Sequence, residues 1–364
     1  MEKDVDAVNG EALVWHPSRP RVTSDQRRLA SALQNDAGLL ELVAGASVEA
    51  VAALVGRNRL TPLIARRLRD VAPGSELSRE LLSELRESQV RTMLIRHELQ
   101  QLGAVFGRSG IRWMPLKGGH LAFTVYTHPD DRPMSDIDIL VDGTCFREAV
   151  DALELAGWRS IGDLGQRYFG YVLEEGYNWP VLRDRIAIEV HFRLWGRAPG
   201  AMAPAIFETA DQWLEFGDTA LRPGLAEAFV VAAAHAWKSP RPRPLLTWWD
   251  LRTIVDGVAE PFSEAIGGFA RRWDVPMPVG LAAATADALW PHPILAATAD
   301  SLLHEARGPE MPLKALLRRS VAGALDDRLL VLAHLLAGRR TRLGGKLVWR
   351  RFLPHPGLRR RRGE

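Results

Sequence analysis

Apolar residues recur at helical spacing through the first third of the chain. Residues 1 to about 22 hold Pro17 and Pro20 and few periodic apolar positions, which predicts an irregular lead. Thr23-Ser24-Asp25-Gln26 has the form of a capping box, and Leu29, Leu33, Leu39 and Leu40 follow it as a helical stripe. Further helices are expected over Val48–Val55 and Thr61–Val71. A long one is expected from Ser78 to about Phe106, with Leu81, Leu82, Leu85, Val90, Leu94, Leu99, Leu102 and Phe106 on a broad apolar face.

The period changes after Gly110. Ile111 to Leu116 predicts a short strand that stops at Gly118-Gly119, with a short helix from His120 to Val125. A loop holding Pro129 and Pro133 leads into Asp136–Val141, where polar and apolar residues alternate as in a strand. Phe146–Ala156 predicts a helix closed by Gly157-Trp158. Tyr168 to Trp195 predicts two or three strands, the clearest being Ile186–Leu194, and Trp213–Phe216 a small one. Helical spacing returns over Gly224–Trp237, Leu245–Val258, Phe262–Trp273, Val279–Leu289 and Asp326–Ala337, with proline-rich joints at 240–244 and 309–312. No internal repeat is visible. The expected fold is α+β: a small mixed sheet core flanked by an N-terminal helical segment and a C-terminal helical domain. The expected divisions are a lead (1–22), helices (23–109), the core (110–222), a helical domain (223–337) and a basic tail (338–364).

Composition narrows the function. At 364 residues and 47% hydrophobic content the chain can bury a sizeable core. No apolar run reaches the length of a membrane span, and the polar start predicts no signal peptide. Cys145 is the one cysteine, so an internal disulfide and a cysteine-built zinc site are excluded, and a cytoplasmic location is expected. The net charge of +3 is uneven. Ten of the 47 basic residues but one of the 44 acidic ones lie from Gly338 onward, leaving 37 basic and 43 acidic residues in the body. An arginine-rich tail with Trp349 and Phe352 suits nucleic acid or an anionic membrane surface, but a solvated end is the favoured reading.

The candidate chemistry starts at Asp136-Ile137-Asp138. On a strand, residues two apart share a face, so both carboxylates project together while Ile137, Ile139 and Val141 turn to a core. Carboxylates held that close repel, and a hard cation relieves the repulsion. Glu189 alternates with apolar neighbours on the later strand. If the two strands are adjacent, three carboxylates meet on one face, the arrangement a two-metal site needs. The plainer alternative pairs Glu189 with Arg185 or Arg193. Lys117-Gly118-Gly119 lies at a strand-to-helix turn, where two residues without a side chain let backbone N–H groups approach phosphate. Lys117 and Arg132 supply cations for the same anion. A Walker loop and a serine-nucleophile elbow are both absent.

Leu116-Lys117-Gly118-Gly119, then Tyr126, Pro129 and Arg132, then Asp136 to Val141, then Ile188-Glu189-Val190-His191 resemble a bacterial nucleotidyltransferase family of the DNA polymerase beta-like superfamily. The likeness covers about residues 80 to 260 and includes His235, Lys238, Trp248 and Asp250. It departs from the wider superfamily in having Gly118-Gly119 where Gly-Ser is common, and in the long spacer before Asp136.

The resemblance implies transfer of a nucleoside monophosphate from an NTP such as ATP to a hydroxyl-type acceptor. Asp136, Asp138 and Glu189 would hold Mg2+ (or Mn2+) and carry catalysis. Lys117, Gly118, Gly119 and Arg132 would bind phosphate. Relatives often accompany peptide natural-product genes, which points to a small molecule or peptide as acceptor. Two other readings are a catalytically inactive nucleotide- or partner-binding protein of this fold and an RNA- or DNA-directed transferase using the tail. His191 is expected to be a hydrogen-bonded structural residue, with orienting the acceptor or a metal-bound water as the alternative reading. His235 is expected to be a satisfied core histidine, with Asp250 as a candidate partner. Trp248 and Trp249 are expected in the core, and Lys238 to Arg243 form a basic loop.

Overall fold

Side-chain caps divide the first helical stretch where the apolar pattern runs on. The computed structural model describes residues 24–45, 47–160, 178–184, 186–194, 202–236, 243–259 and 261–305. Helices α1 (Ser24–Gln34) and α2 (Asp36–Ala44) are separated by Asn35, whose Oδ1 accepts the Gly38 N–H at 2.7 Å. Ser47 and Ser75 cap α3 (Val48–Arg57) and α5 (Glu76–Ser109) in the same way, and α4 (Thr61–Val71) starts at Thr61-Pro62. Each such cap stabilises its helix by about 1 kcal/mol. Helix α5 ends at Gly110, whose left-handed φ of 67° needs no Cβ.

Between the helical regions lies a mixed five-stranded sheet of order β1–β2–β5–β4–β3. Its strands are β1 (Trp113–Pro115), β2 (Asp136–Val141), β3 (Arg159–Ser160), β4 (Asn178–Arg183) and β5 (Ile186–His191). β2 and β5 run parallel and the other neighbours antiparallel. Helix α6 (Lys117–Thr124) joins β1 towards β2, and α7 (Phe146–Leu155) follows β2. The stretch Trp213–Phe216 is no strand. It is a 3-10 turn over Leu214–Phe216, between the two-residue strands β6 (Asp211–Gln212) and β7 (Leu221–Arg222) that follow α8 (Met202–Thr209). Gly103 lets α5 press on this turn, since a Cβ there would collide with the Phe216 carbonyl.

Alternation on β2 and β5 sorts side chains by face. Ile137, Ile139, Val141, Ile188 and Val190 enter a core with Ile95, Leu99, Leu102 and Phe106 of α5 and Phe146 and Leu153 of α7. A second core unites the two helical ends of the chain. Leu29, Leu39, Ile64, Leu77, Leu81 and Leu85 share it with residues of α9 (Leu225–Ala236), α10 (Leu245–Val255), α11 (Phe262–Arg272), α12 (Pro276–Leu289) and α13 (Pro293–Glu305). Trp290 Nε1 donates to the Ala30 carbonyl at 3.0 Å. Asn58 binds the start of α10 through Leu245 N–H at 3.1 Å and Leu246 N–H at 3.2 Å. Trp248 is buried, and Trp249 packs edge-on against Trp290 at 5.0 Å, so both tryptophans serve the core as expected.

The expected α+β architecture is the one observed. Its boundaries shift where local chemistry differs from period: α6 opens at Lys117, and α13 was not anticipated. The lead through Thr23, the Tyr168–Tyr177 stretch, Lys238, the helix expected at Asp326–Ala337 and the basic tail lie outside the described residues. No helix among the described residues is long and apolar enough to cross a membrane.

Candidate active site

Parallel pairing of β2 with β5 sets Asp138 directly beside Glu189, and Asp136 beside Ala187. The two strands are adjacent, so all three acids stand on the sheet face away from the α5–α7 core. His191 is two residues beyond Glu189 on that face.

The tight group is Asp138, Glu189 and His191, each offering a ligand atom within 4.8 Å of the others. His191 Nε2 lies 2.8 Å from Asp138 Oδ1 and 3.4 Å from Glu189 Oε2. Asn178 Nδ2, from β4, donates to Glu189 Oε2 at 2.7 Å. Lys117 Nζ forms an ion pair with the same Asp138 oxygen that meets His191. Asp136 is outside this group: it is half-buried and accepts from Ser135 Oγ at 2.9 Å. Glu189 thus has Asn178 and His191 beside it, while Arg193 lies against the Phe192 ring and Arg185 is outside the described residues.

Electrostatics follow this geometry. Burial pushes the Asp138 carboxyl up, but Lys117 and His191 outweigh it and hold the group well below the usual carboxylate range. The hydrogen bond from His191 lowers Glu189, against burial and the repulsion of Asp138. Both acids therefore stay ionised side by side, which favours a cation between them. Two carboxylates and an imidazole nitrogen are a ligand set that suits a divalent metal ion.

The turn beside these acids is built for close approach. Leu116 N–H donates to the Asp138 carbonyl at 2.9 Å, carrying the chain alongside β2. Lys117 then takes a left-handed φ of 45°, uncommon for a residue with a side chain. No side chain caps α6, and its first helical bond is His120 N–H to Leu116 O. The N–H groups of Lys117, Gly118 and Gly119 therefore lack an intrahelical acceptor. A Cβ on Gly118 would collide with Arg132 Nη1 and lie 3.0 Å from Met134 Cγ.

Arg132 is held from behind. Its Nε and Nη2 donate to Asp250 at 3.0 and 2.8 Å, and Tyr126 Oη donates to Asp250 Oδ1 at 2.7 Å. Asp250 outweighs burial and raises the Arg132 pKa, while burial and Asp250 push the Tyr126 phenol well up. The Asp250 carboxylate expected near His235 is thus engaged by Arg132 and Tyr126. His235 is half-buried on α9, and its carbonyl accepts from Arg243 Nη2 at 2.7 Å.

Two contributors were not foreseen from the sequence. Asn178 gives no signal of its own, since its partner is set by the β4–β5 register. Arg59, in the α3–α4 turn, has φ 57° and donates to Pro133 O at 3.0 Å. Its exposed guanidinium lies within electrostatic reach of Arg132, Asp136 and Asp250.

This geometry joins an uncapped helix start, a lysine and two adjoining carboxylates. Residues 45–291 match the family model described as uncharacterised nucleotidyltransferase. The chain belongs to that nucleotidyltransferase family. The match spans α3 to α12, the sheet and every residue of the site just described. Membership implies a nucleoside triphosphate as substrate, and the acid–histidine group fits a metal-dependent transferase. No curated protein matches the chain.

Proposed function

We propose that this nucleotidyltransferase is a member of the DNA polymerase beta-like superfamily. In this reading it moves a nucleoside monophosphate from an NTP such as ATP to a hydroxyl on a small molecule or peptide, in the cytoplasm. The observation that carries the reading is the register of β2 against β5, which sets Asp138 beside Glu189 next to the uncapped start of α6. A triphosphate at that helix start would lie against two carboxylates. The repulsion makes binding unfavourable unless cations stand between them.

Asp138 and Glu189 hold the divalent ion in this reading, with His191 as a nitrogen ligand and Asp136 as a further carboxylate from the same face. The ion, when bound, offsets charge on the triphosphate and on the leaving pyrophosphate. The N–H groups of Gly118 and Gly119 hold phosphate oxygens, with Lys117 and the Nη1 of Arg132 beside them. Arg59, within electrostatic reach of Arg132 and Asp136, adds a further cation. The acceptor oxygen bonds to the α-phosphorus as the bridge to the β-phosphate breaks. Glu189, whose side chain keeps 35% of its surface in solvent, takes the acceptor proton.

The test is to incubate the protein with each labelled triphosphate, Mg2+ or Mn2+, and a cell extract. Label is expected on an extract component, and Asp138→Ala should abolish it. Triphosphate binding without transfer would instead indicate a catalytically inactive binding protein. Folded protein that binds no triphosphate at all rules out both readings.

A further inference from the structure

The two contacts to Asp138 fall on one oxygen. Lys117 Nζ and His191 Nε2 both meet Oδ1, the second at 2.8 Å. Asp138 is also one of the three residues of the group able to hold a metal ion. A divalent ion held by Asp138 and Glu189 would share the Asp138 carboxylate with the ammonium, and so lie close to it. Two cations at that separation repel strongly in a site this enclosed, where the Lys117 and Asp138 side chains keep 15% and 10% of their surface.

Lys117 is aimed at Asp138 by its backbone, through its φ of 45° and the Leu116 N–H bond to the Asp138 carbonyl. Four methylenes let the ammonium swing while the Cα stays fixed. The alternative partner is adjacent, since Lys117 is the first residue of α6 and any anion bound at Gly118 lies within its reach.

We propose that Lys117 is a movable counter-ion that makes triphosphate and divalent cation bind as a coupled pair. This rests on the functional reading above and adds a regulation of the same site. Lys117 opposes the metal when no triphosphate is present, and the carboxylates oppose the triphosphate when no metal is present. Together the ligands relieve both conflicts: the triphosphate draws the ammonium off Oδ1, and the metal takes the carboxylate. Coupling of this kind is reciprocal, so each ligand strengthens the other by the same factor.

The experiment measures Mn2+ affinity from the loss of the free-ion electron paramagnetic resonance signal, without nucleotide. The proteins are wild type, Lys117→Met, Lys117→Arg and Asp138→Asn. Lys117→Asn serves as a second neutral variant, because asparagine tolerates left-handed backbone and keeps the turn intact. Removing the charge is expected to tighten Mn2+ binding about tenfold, with Lys117→Arg close to wild type and Asp138→Asn without the site. Neutral variants that fold and bind Mn2+ no more tightly than wild type, at a site that Asp138→Asn still removes, would overturn the counter-ion role alone. If no variant takes up Mn2+ in an Asp138-dependent way, with or without a non-hydrolysable triphosphate, the functional reading fails along with it.

Discussion

Two buried aspartates meet cations on the same side of the sheet, and they do so in opposite styles. Asp250 is closed: the planar fork of Arg132 and the phenol of Tyr126 deliver three hydrogen bonds to its two oxygens. Asp138 is open: a lysine and a histidine converge on Oδ1, with a second carboxylate alongside. A guanidinium fork fits a carboxylate in one lasting geometry, whereas an ammonium is a point charge on a flexible stem. The first arrangement serves permanence and the second exchange. Arg132 connects them, because its fork is spent on Asp250 while its remaining nitrogen faces Gly118.

The largest effect expected from this contrast is on catalysis at the open cluster. Asp138→Asn should cut turnover roughly 10³-fold, equivalent to about 4 kcal/mol, with little change in melting temperature. Steady-state kinetics beside calorimetry would show the split, and a large loss of stability would mean that Asp138 is structural. At the closed cluster the effects should exchange places. Asp250→Ala leaves a buried guanidinium unpaired and should cost about 3–5 kcal/mol in denaturant unfolding. A variant as stable as wild type would remove the distinction between the two aspartates.

A smaller effect tests the seam between the clusters. Gly118→Ala drives a methyl into Arg132 Nη1 and should cost about 1–3 kcal/mol. Gly119→Ala meets only ordinary contacts, 3.5 Å to Pro115 Cβ and 3.9 Å to Ile137 Cγ2, and should stay within about 1 kcal/mol of wild type. Equal losses at the two glycines in urea melts would show that Arg132 is not pinned.

The smallest effect concerns His120, on α6 between Lys117 and Tyr126. Its ring is buried edge-on against Trp213 at 5.8 Å, and burial, with Arg222 adding to it, pushes the imidazole down to about 3. The unfolded chain takes up this proton near pH 6.5 and the folded chain does not. The histidine's contribution is therefore complete above that pH and declines as pH falls from 6.5 towards 3. At pH 5.5 the loss is about 1 kcal/mol. His120→Phe should flatten this part of the stability profile, as measured by unfolding between pH 7 and pH 5.

Much of the site was legible because it lies on strands. Alternation placed Asp136–Val141 at its observed bounds and set Asp136, Asp138, Glu189 and His191 on their face. That β2 and β5 are neighbours entered the sequence reading only as a condition, and their parallel sense not at all, since pairing between distant segments leaves no local mark. The compact metal-binding group brings in His191 and leaves out Asp136, because it depends on where side chains reach and not on which face carries them. Arg59 escaped for a related reason. It comes from a turn between two helices, and its place near Asp136 is set by tertiary packing. Arg132 reads as a phosphate cation from its charge and its place in the family motif, whereas its commitment to Asp250 spans 118 positions of sequence. At the helix ends, Asn35-Asp36 carried a cap signal inside a stripe that otherwise read as continuous. Helix α13 follows Pro293 at its first position, with Ile294, Leu295 and Leu302 as its buried face.

Helix α5 spans 34 residues, about 50 Å, and serves two cores in turn. Leu77, Leu81 and Leu85 pack among the helical ends, while Ile95, Leu99 and Leu102 pack beneath the sheet. The two sets keep a fixed angular phase along one rod. One extra residue between Leu85 and Ile95 would rotate the distal half by about 100° and swing its leucines out from under β2 and β5. A one-residue insertion or deletion here would therefore unseat one of the two cores, and this segment of α5 acts as a ruler between them.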